Sequence, residues 1–543
     1  MRTKWKRTLL TAVAGSLVIS MAACSEEGGD AGGGVNLDGK KTASMADYKA
    51  GAQFKATEPV DVSLLYLDQS HYPIKDDWLL WKEITQRTNV TIKPTVVPYS
   101  DYDQKRGLLI SSGDAPTIIS KTYPGQEEQF VSSGAILPVS DYIDLMPHFK
   151  DKVERWKLQP ELNTLRQEDG KFYLLPGMHE KVWQDYTLAF RTDELKRLNL
   201  QAPKDWDEVY TVLKAIKAAN PDSYPLSDRF EAKSILNYAG QTFGTQAGWG
   251  YVKNTIWNES AQKYELTGAT PEYKQLIEFF HKLVAEGLMD PESFTQKDDA
   301  AIQKFASGKS FAISSNAQNI INDYRPNVSK IPGATVAKIP LPAGPKGNVI
   351  RGTRLENGLM VSAKAVESDK FVATMQFIDW LWYSDEALEF TKWGVNGTTY
   401  DKDASGKRTL KPEVAFGGMN VGAPKNLQRD FGFQGGVFYY GGSTELLQSM
   451  FTEEEVAFQK TMADKKVEAL PPPAPLNEDE RERAALLESP LKDFVTQSTL
   501  QFILGQRDLS TWDAYVKELE AKGSNDLVEL VNGAHKRYKE KNG

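Results

Sequence analysis

Hydrophobic and polar positions alternate and then cluster where the folded part of the chain begins. Val60-Asp61-Val62-Ser63 alternates, and Leu64-Leu65-Tyr66-Leu67 is fully apolar, as in a strand whose sheet is covered on both faces. Trp78, Leu79, Trp81, Ile84 and Thr85 fall at helical spacing, and Val90 to Val97 reads as a second strand. A helix from about Tyr102 carries Leu108, Leu109 and Ile110 and stops at Ser112-Gly113-Asp114, where glycine suits a left-handed cap. Pro116 to Ile119 is a third strand. This alternation predicts an α/β fold with a parallel sheet. Farther on, Asp205 and Glu208 form a helix-opening capping box ahead of a stripe of Val209, Val212, Leu213 and Ile216. A helix from Thr270-Pro271 runs through Leu276, Phe280 and Leu283 to Gly287. Strands are expected at Lys309–Ser314 and Gly358–Ser362, and an apolar helix with two tryptophans at Phe371–Trp382. Pro471-Pro472-Pro473 reads as a stiff spacer, and no internal repeat is present.

Composition narrows the class. The 543 residues leave room for two or more domains, and 40% hydrophobic with 25% charged residues describes a soluble globular body. The start differs. Arg2, Lys4, Lys6 and Arg7 precede an apolar run from Leu9 to Ala22, which is a secretory signal too short to span a bilayer comfortably. Formal charge is −8; residues 1–23 hold four basic groups and no acidic ones, so their removal leaves −12. That argues against nucleic acid or anionic lipid as a partner. One cysteine, Cys24, excludes a disulfide within the chain. The five histidines lack metal-ligand spacing, and no G-x-S-x-G, H-E-x-x-H or Walker loop occurs. The supply of 12 Trp and 22 Tyr suits stacking on sugar rings.

Two resemblances give these features a common meaning. Met21-Ala22-Ala23-Cys24 resembles a bacterial lipoprotein lipobox, with Met21 where leucine is usual. It implies cleavage before Cys24 and lipid attachment there, at the outer face of the cytoplasmic membrane. The second lies in the body. Leu108 to Ile119, Gly134 to Ile143, Asp169 to Pro176, Phe190 to Leu195 with Pro203 to Glu208, Ala285 to Glu292 and Trp393-Gly394-Val395-Asn396-Gly397 together resemble family 1 extracellular solute-binding proteins. These are lipid-anchored receptors of ATP-binding-cassette sugar importers, and the ending, Phe502 to Tyr538, is similar to their long oligosaccharide-binding subgroup in Gram-positive bacteria. The resemblance implies a two-lobed periplasmic-binding-protein-like fold with a cleft and crossing hinge strands. Expected boundaries are a signal at 1–23, a flexible Gly-rich tether at 24–57, one lobe at 58–183 with about 318–366, and another at 184–317 with 367–543. It further implies a monomer with an oligosaccharide ligand and a permease partner. A membrane-anchored glycoside hydrolase or lyase, and a receptor for a non-sugar solute such as a peptide, are the alternatives.

Ligands of such folds sit outside the carboxyl ends of the strands. That rule selects Gln69 and His71, Tyr123 and Gln126, Trp183 and Tyr186, Asn316, Glu356 and Trp393. Trp249, in the aperiodic Gly244 to Tyr251 loop, is a further stacking candidate. Trp81, Trp206, Trp380, Trp382 and Trp512 lie on helical stripes and belong to the core. Some long members of the family bind calcium after the helix that opens the second lobe. Here Ala219 to Leu226 lacks the alternating oxygen ligands. No metal and no cofactor are expected.

Overall fold

In β1 (Val60–Asp68) the exposed position is Asp61, and Leu64 to Leu67 are buried on both faces, as their sequence predicts. The computed structural model describes residues 35–438 and 440–542; the signal segment and Cys24 lie outside them. α1 (Leu79–Thr88) buries Leu80 and Ile84 and ends at Asn89, which takes a left-handed φ of 58°. β2 (Val90–Pro98) runs parallel to β1 from Val60–Val90 to Asp68–Pro98. α2 (Tyr102–Ser111) leads to β3 (Ile118–Thr122), parallel to β1 on its other side. After a helical excursion the chain returns as β4 (Leu175–Met178) and leaves this lobe.

The second lobe opens with β5 (Thr187–Arg191), buried along its whole length. In α3 (Trp206–Ala219) Asp205 Oδ1 accepts the Glu208 N–H at 2.8 Å, as the capping box predicts. Glu208 Oε2 reaches back to the Lys204 N–H, one residue earlier than expected. Such a cap contributes about 1 kcal/mol. α4 (Lys233–Phe243) is buried on nearly all sides, and α5 (Pro271–Ala285) buries Tyr273, Leu276, Ile277, Phe280 and Leu283. β6 (Ala312–Ser315) and β7 (Val336–Lys338) flank β5 on either side, both antiparallel to it.

β8 (Leu355–Val361) re-enters the first lobe between β3 and β4, antiparallel to both, and completes the order β2-β1-β3-β8-β4. α6 (Phe371–Tyr383) and α7 (Asp385–Trp393) pack under this sheet. α8 (Glu453–Ala463) carries the chain back to the second lobe, where α9 (Glu478–Ile503), α10 (Trp512–Ala521) and α11 (Ser524–Asn542) close the core. Trp206, Trp380 and Trp512 are core residues as their stripes predict, while Trp81 and Trp382 are partly buried against the first lobe's core. No helix among the described residues is long and apolar enough to cross a membrane.

Two expected boundaries shift. The compact body begins at Leu37, so the stretch from there to residue 57, expected in the tether, belongs to it. Ala43, Phe54 and Ala56 are buried in the first lobe, Met45 exchanges two hydrogen bonds with the Gln376 side chain, and the Gly51 N–H donates to His148 Nε2 at 3.0 Å. The lobes also divide differently. Residues 318–350 belong to the second lobe, because Ile320, Tyr324, Val336 and Ile339 join its cores. Residues 367–450 belong to the first, because α6 and α7 join the core under its sheet. The chain crosses three times, near 179–186, 351–354 and 451–457.

Candidate functional site

The carboxyl ends of β1 and β3 and the chain just past β4 face the second lobe across a cavity of about 600 Å³. A cavity of that size suits a small-molecule ligand. From the first lobe it is lined by Gln69, His71, Lys121, Tyr123, His179, Glu356 and Tyr440. Trp183, Gln184 and Asp185 line it from the first crossing. Tyr186, Asn237, Asn316, Gln318 and Asn322 form the opposite wall. Of the residues selected by the strand-end rule, Gln69, His71, Tyr123, Trp183, Tyr186, Asn316 and Glu356 are therefore brought together.

Three expected site residues lie elsewhere. Trp393 is fully buried in the first lobe, with its indole N–H on Ser449 Oγ at 3.0 Å. It closes the inner face of α7, and the glycine-rich sequence after it conceals that it ends a helix. Gln126 accepts the Tyr123 N–H and an Arg106 guanidinium N–H at 3.0 and 3.1 Å, so it holds the loop after β3 and does not face the cavity. Trp249 is outside the cavity wall, on the rim of the second lobe beside Tyr186 and Phe230. Trp257 is also away from the cleft, against Tyr264 and His535.

The first-lobe wall is a connected polar network. Lys121 has φ +55°, unusual for a residue with a Cβ and costing on the order of 1 kcal/mol. That backbone turns its ammonium into the cleft, 2.7 Å from the Tyr440 hydroxyl and 3.2 Å from that of Tyr123. The same ammonium lies over both rings, at 4.5 and 5.0 Å. Burial pulls its pKa down to about 8, against the opposing pull of Glu356. Glu356 in turn is 2.8 Å from His179 Nε2.

The second-lobe wall is neutral and amide-rich. Asn316 caps the turn after β6, accepting the Asn319 N–H at 2.8 Å. Asp185 accepts the Ala317 N–H at 3.0 Å and lies 3.2 Å from the Lys338 ammonium. Trp183 stands between the lobes, 5.8 Å from the Phe451 ring and 6.2 Å from that of His179. Amides offer donors and acceptors to hydroxyls, and aromatic faces offer apolar surface. Both carboxylates in the wall are already committed to donors.

Lys121, in the stretch the strand-end rule marks after the third strand, lies within β3 itself, and His179 escaped the reading of the sequence although it stands at a strand end. Asn237, inside α4, and Tyr440, far along the chain, carried no local signal. No three acidic, histidine or cysteine side chains converge as metal ligands among the described residues. At 219–226 the Ser223 carbonyl accepts from the Lys217 ammonium at 2.8 Å.

Two α/β lobes, three crossings and a polar, aromatic cleft define a solute-binding receptor. The bacterial extracellular solute-binding protein family matches residues 71–389, more than half of the chain, and the protein belongs to that family. The family consists of binding proteins, not enzymes, which sets aside the hydrolase and lyase alternatives. The chain is 24% identical to the fructooligosaccharide ABC transporter substrate-binding protein FusA of Streptococcus pneumoniae, over 92% of this chain and 94% of that one. It is 23% identical to the polygalacturonan/rhamnogalacturonan-binding protein YtcQ of Bacillus subtilis, over 91% and 94%. The crystal structure of alginate-binding protein AlgQ2 without calcium ion superposes with a TM-score of 0.69 at 21% identity, covering 89% of this chain and 99% of that one.

Proposed function

We propose that the protein captures an oligosaccharide between its lobes and delivers it to an ATP-binding-cassette importer. The observation that carries this reading is the convergence of amides and aromatic faces from both lobes on one cavity. The ligands named for FusA and YtcQ, both carbohydrates, support it. Closure is hinge motion about the three crossings, favoured because the ligand contacts both walls in the closed state alone. Gln69, His71, Asn316 and Glu356 bind hydroxyls, and Tyr123, Trp183 and Tyr186 supply stacking faces. Thermal denaturation against a panel of oligosaccharides tests this. A ligand at a hundred times its Kd stabilises the fold by about 2.7 kcal/mol. The sugar should also be recovered intact by chromatography. If no oligosaccharide raised the melting temperature while a parallel set of peptides did, the sugar reading would fail.

The protein acts as a monomer anchored through lipid on Cys24 at the outer face of the membrane. The lipobox-like sequence supports this, as does 24% identity over 84% of the chain to lipoprotein LipO of Bacillus subtilis. An anchor of this kind raises the effective concentration of receptor at its permease. Cys24→Ala protein should appear in the medium after signal cleavage; retention on the membrane would refute the anchor.

A further inference from the structure

On the second lobe, next to the cavity, three consecutive residues with a Cβ adopt left-handed backbone: Phe230 at φ +58°, Glu231 at +53° and Ala232 at +58°. Left-handed runs are unfavourable for L-residues, which visit this region singly. Such geometry persists when its surroundings over-determine it, and it concentrates at ligand sites. Here the Phe230 N–H donates to Asp298 Oδ1 at 2.8 Å. The Arg229 guanidinium bonds Asp298 and Asp323 at 2.9 and 2.7 Å and lies 4.2 Å from the centre of the Phe230 ring.

A second constrained turn lies alongside. Gly248-Trp249-Gly250 packs on the first turns of α4. A Cβ at Gly248 would run into the Lys233 carbonyl, and one at Gly250 into the side-chain oxygen of Asn237, itself a cavity residue. Between them the two turns present Phe230 and Trp249, 4.9 Å apart, with Tyr186 at 6.3 and 5.3 Å. Tyr186 lines the cavity, and Trp249 is 40% exposed. The three rings thus form a shelf that continues the cavity wall outward. A tryptophan needed only for the core would not be held open to solvent between one strained turn and one closely packed glycine turn.

We propose that Phe230 and Trp249 form a second sugar-ring subsite, occupied by units of a chain that extends past the cavity, so that the receptor selects for ligand length. The proposal rests on the oligosaccharide reading above. Sugar rings have apolar faces that stack on such a shelf. Isothermal calorimetry would use fructo-, xylo-, malto- and galacturono-oligosaccharides, each from the disaccharide to the octasaccharide. In the series that binds, affinity should rise with length until the shelf is filled. Phe230→Ala and Trp249→Ala should each weaken the octasaccharide by about tenfold and leave the shortest ligand that binds unchanged. Hydrogen exchange on the natural protein gives a reading independent of any disturbance of the turns by substitution. The octasaccharide should slow exchange at 248–250 beyond the effect of the shortest ligand. Equal losses at every length, or equal protection by short and long ligands, would overturn the shelf while leaving the receptor reading intact. Binding by none of these saccharides would overturn both.

Discussion

The two walls of the cleft line one cavity with different chemistry. The first lobe presents charge that is already satisfied: Lys121 on Tyr440 and Tyr123, and Glu356 on His179. The second presents Asn237, Asn316, Gln318 and Asn322, with no charge among them. Hydrogen bonds to charged groups contribute more than those between neutral ones, about 1.5–3 against 0.5–1.5 kcal/mol. On the function proposed above, the first lobe would therefore fix where one sugar unit sits, and the second would read hydroxyls along the chain. Lys121→Ala should lower affinity about a hundredfold, and Asn237→Ala about tenfold, both by calorimetry. Equal losses would break the contrast between the walls.

A second lysine of the first lobe sharpens it. Lys392 is fully buried on α7, where its ammonium donates to the Phe438 carbonyl at 3.2 Å, and burial pulls its pKa down to about 7. Lys392 does not line the cavity. Lys392→Met should stabilise the fold at neutral pH by on the order of 2 kcal/mol in urea denaturation and leave affinity nearly unchanged. A loss of affinity comparable to that of Lys121→Ala would mean that the charge serves the cleft from behind.

The two lysines give one pH trend for stability, and Lys121 gives the opposite one for binding. Both titrate in the folded protein below their ordinary 10.5, at about 8 for Lys121 and about 7 for Lys392. Between those values and 10.5 the unfolded chain holds more protons, so their contribution to stability rises with pH across that window. Below it the full penalty of burying charge is in place. Binding through the Lys121 ammonium runs the other way, falling as pH rises through about 8. In Lys121→Ala this fall should vanish. An affinity independent of pH in the natural protein would show that the ammonium does not hold the ligand.

Why half of this site was legible follows from where its residues stand. Gln69, His71 and Tyr123 follow strands whose apolar runs are unmistakable, so the strand-end rule reaches them. Lys121 lies within β3 itself, and only its left-handed backbone turns it inward. Tyr440 meets it from 319 residues later in the chain, which no local pattern can announce. Phe54 shows the same limit in the fold. It stands among alanines, a glycine and polar residues, and its fully buried ring packs on Phe377 of α6, far along the chain, at 6.3 Å. The apolar pattern of α6 predicted a buried helix correctly. It could not say which lobe would bury it, since either core accepts such a surface.

The walls are joined at their rim by Lys253 of the second lobe and Glu128 of the first, 3.2 Å apart. Among the described residues this is the ion pair that links the lobes away from the crossings. Glu128 raises the Lys253 pKa, and Lys253 is 60% exposed. An exposed pair contributes about 0.2–1 kcal/mol and is screened by salt. If it helps hold the lobes together, Lys253→Ala should weaken ligand binding by at most about fivefold at low ionic strength. The difference should shrink at high salt. Lys253→Ala and Glu128→Ala together should lose little more than either alone, because each removes the same contact. Additive losses would mean that the two side chains act separately on the ligand, and the rim would then belong to the walls it joins.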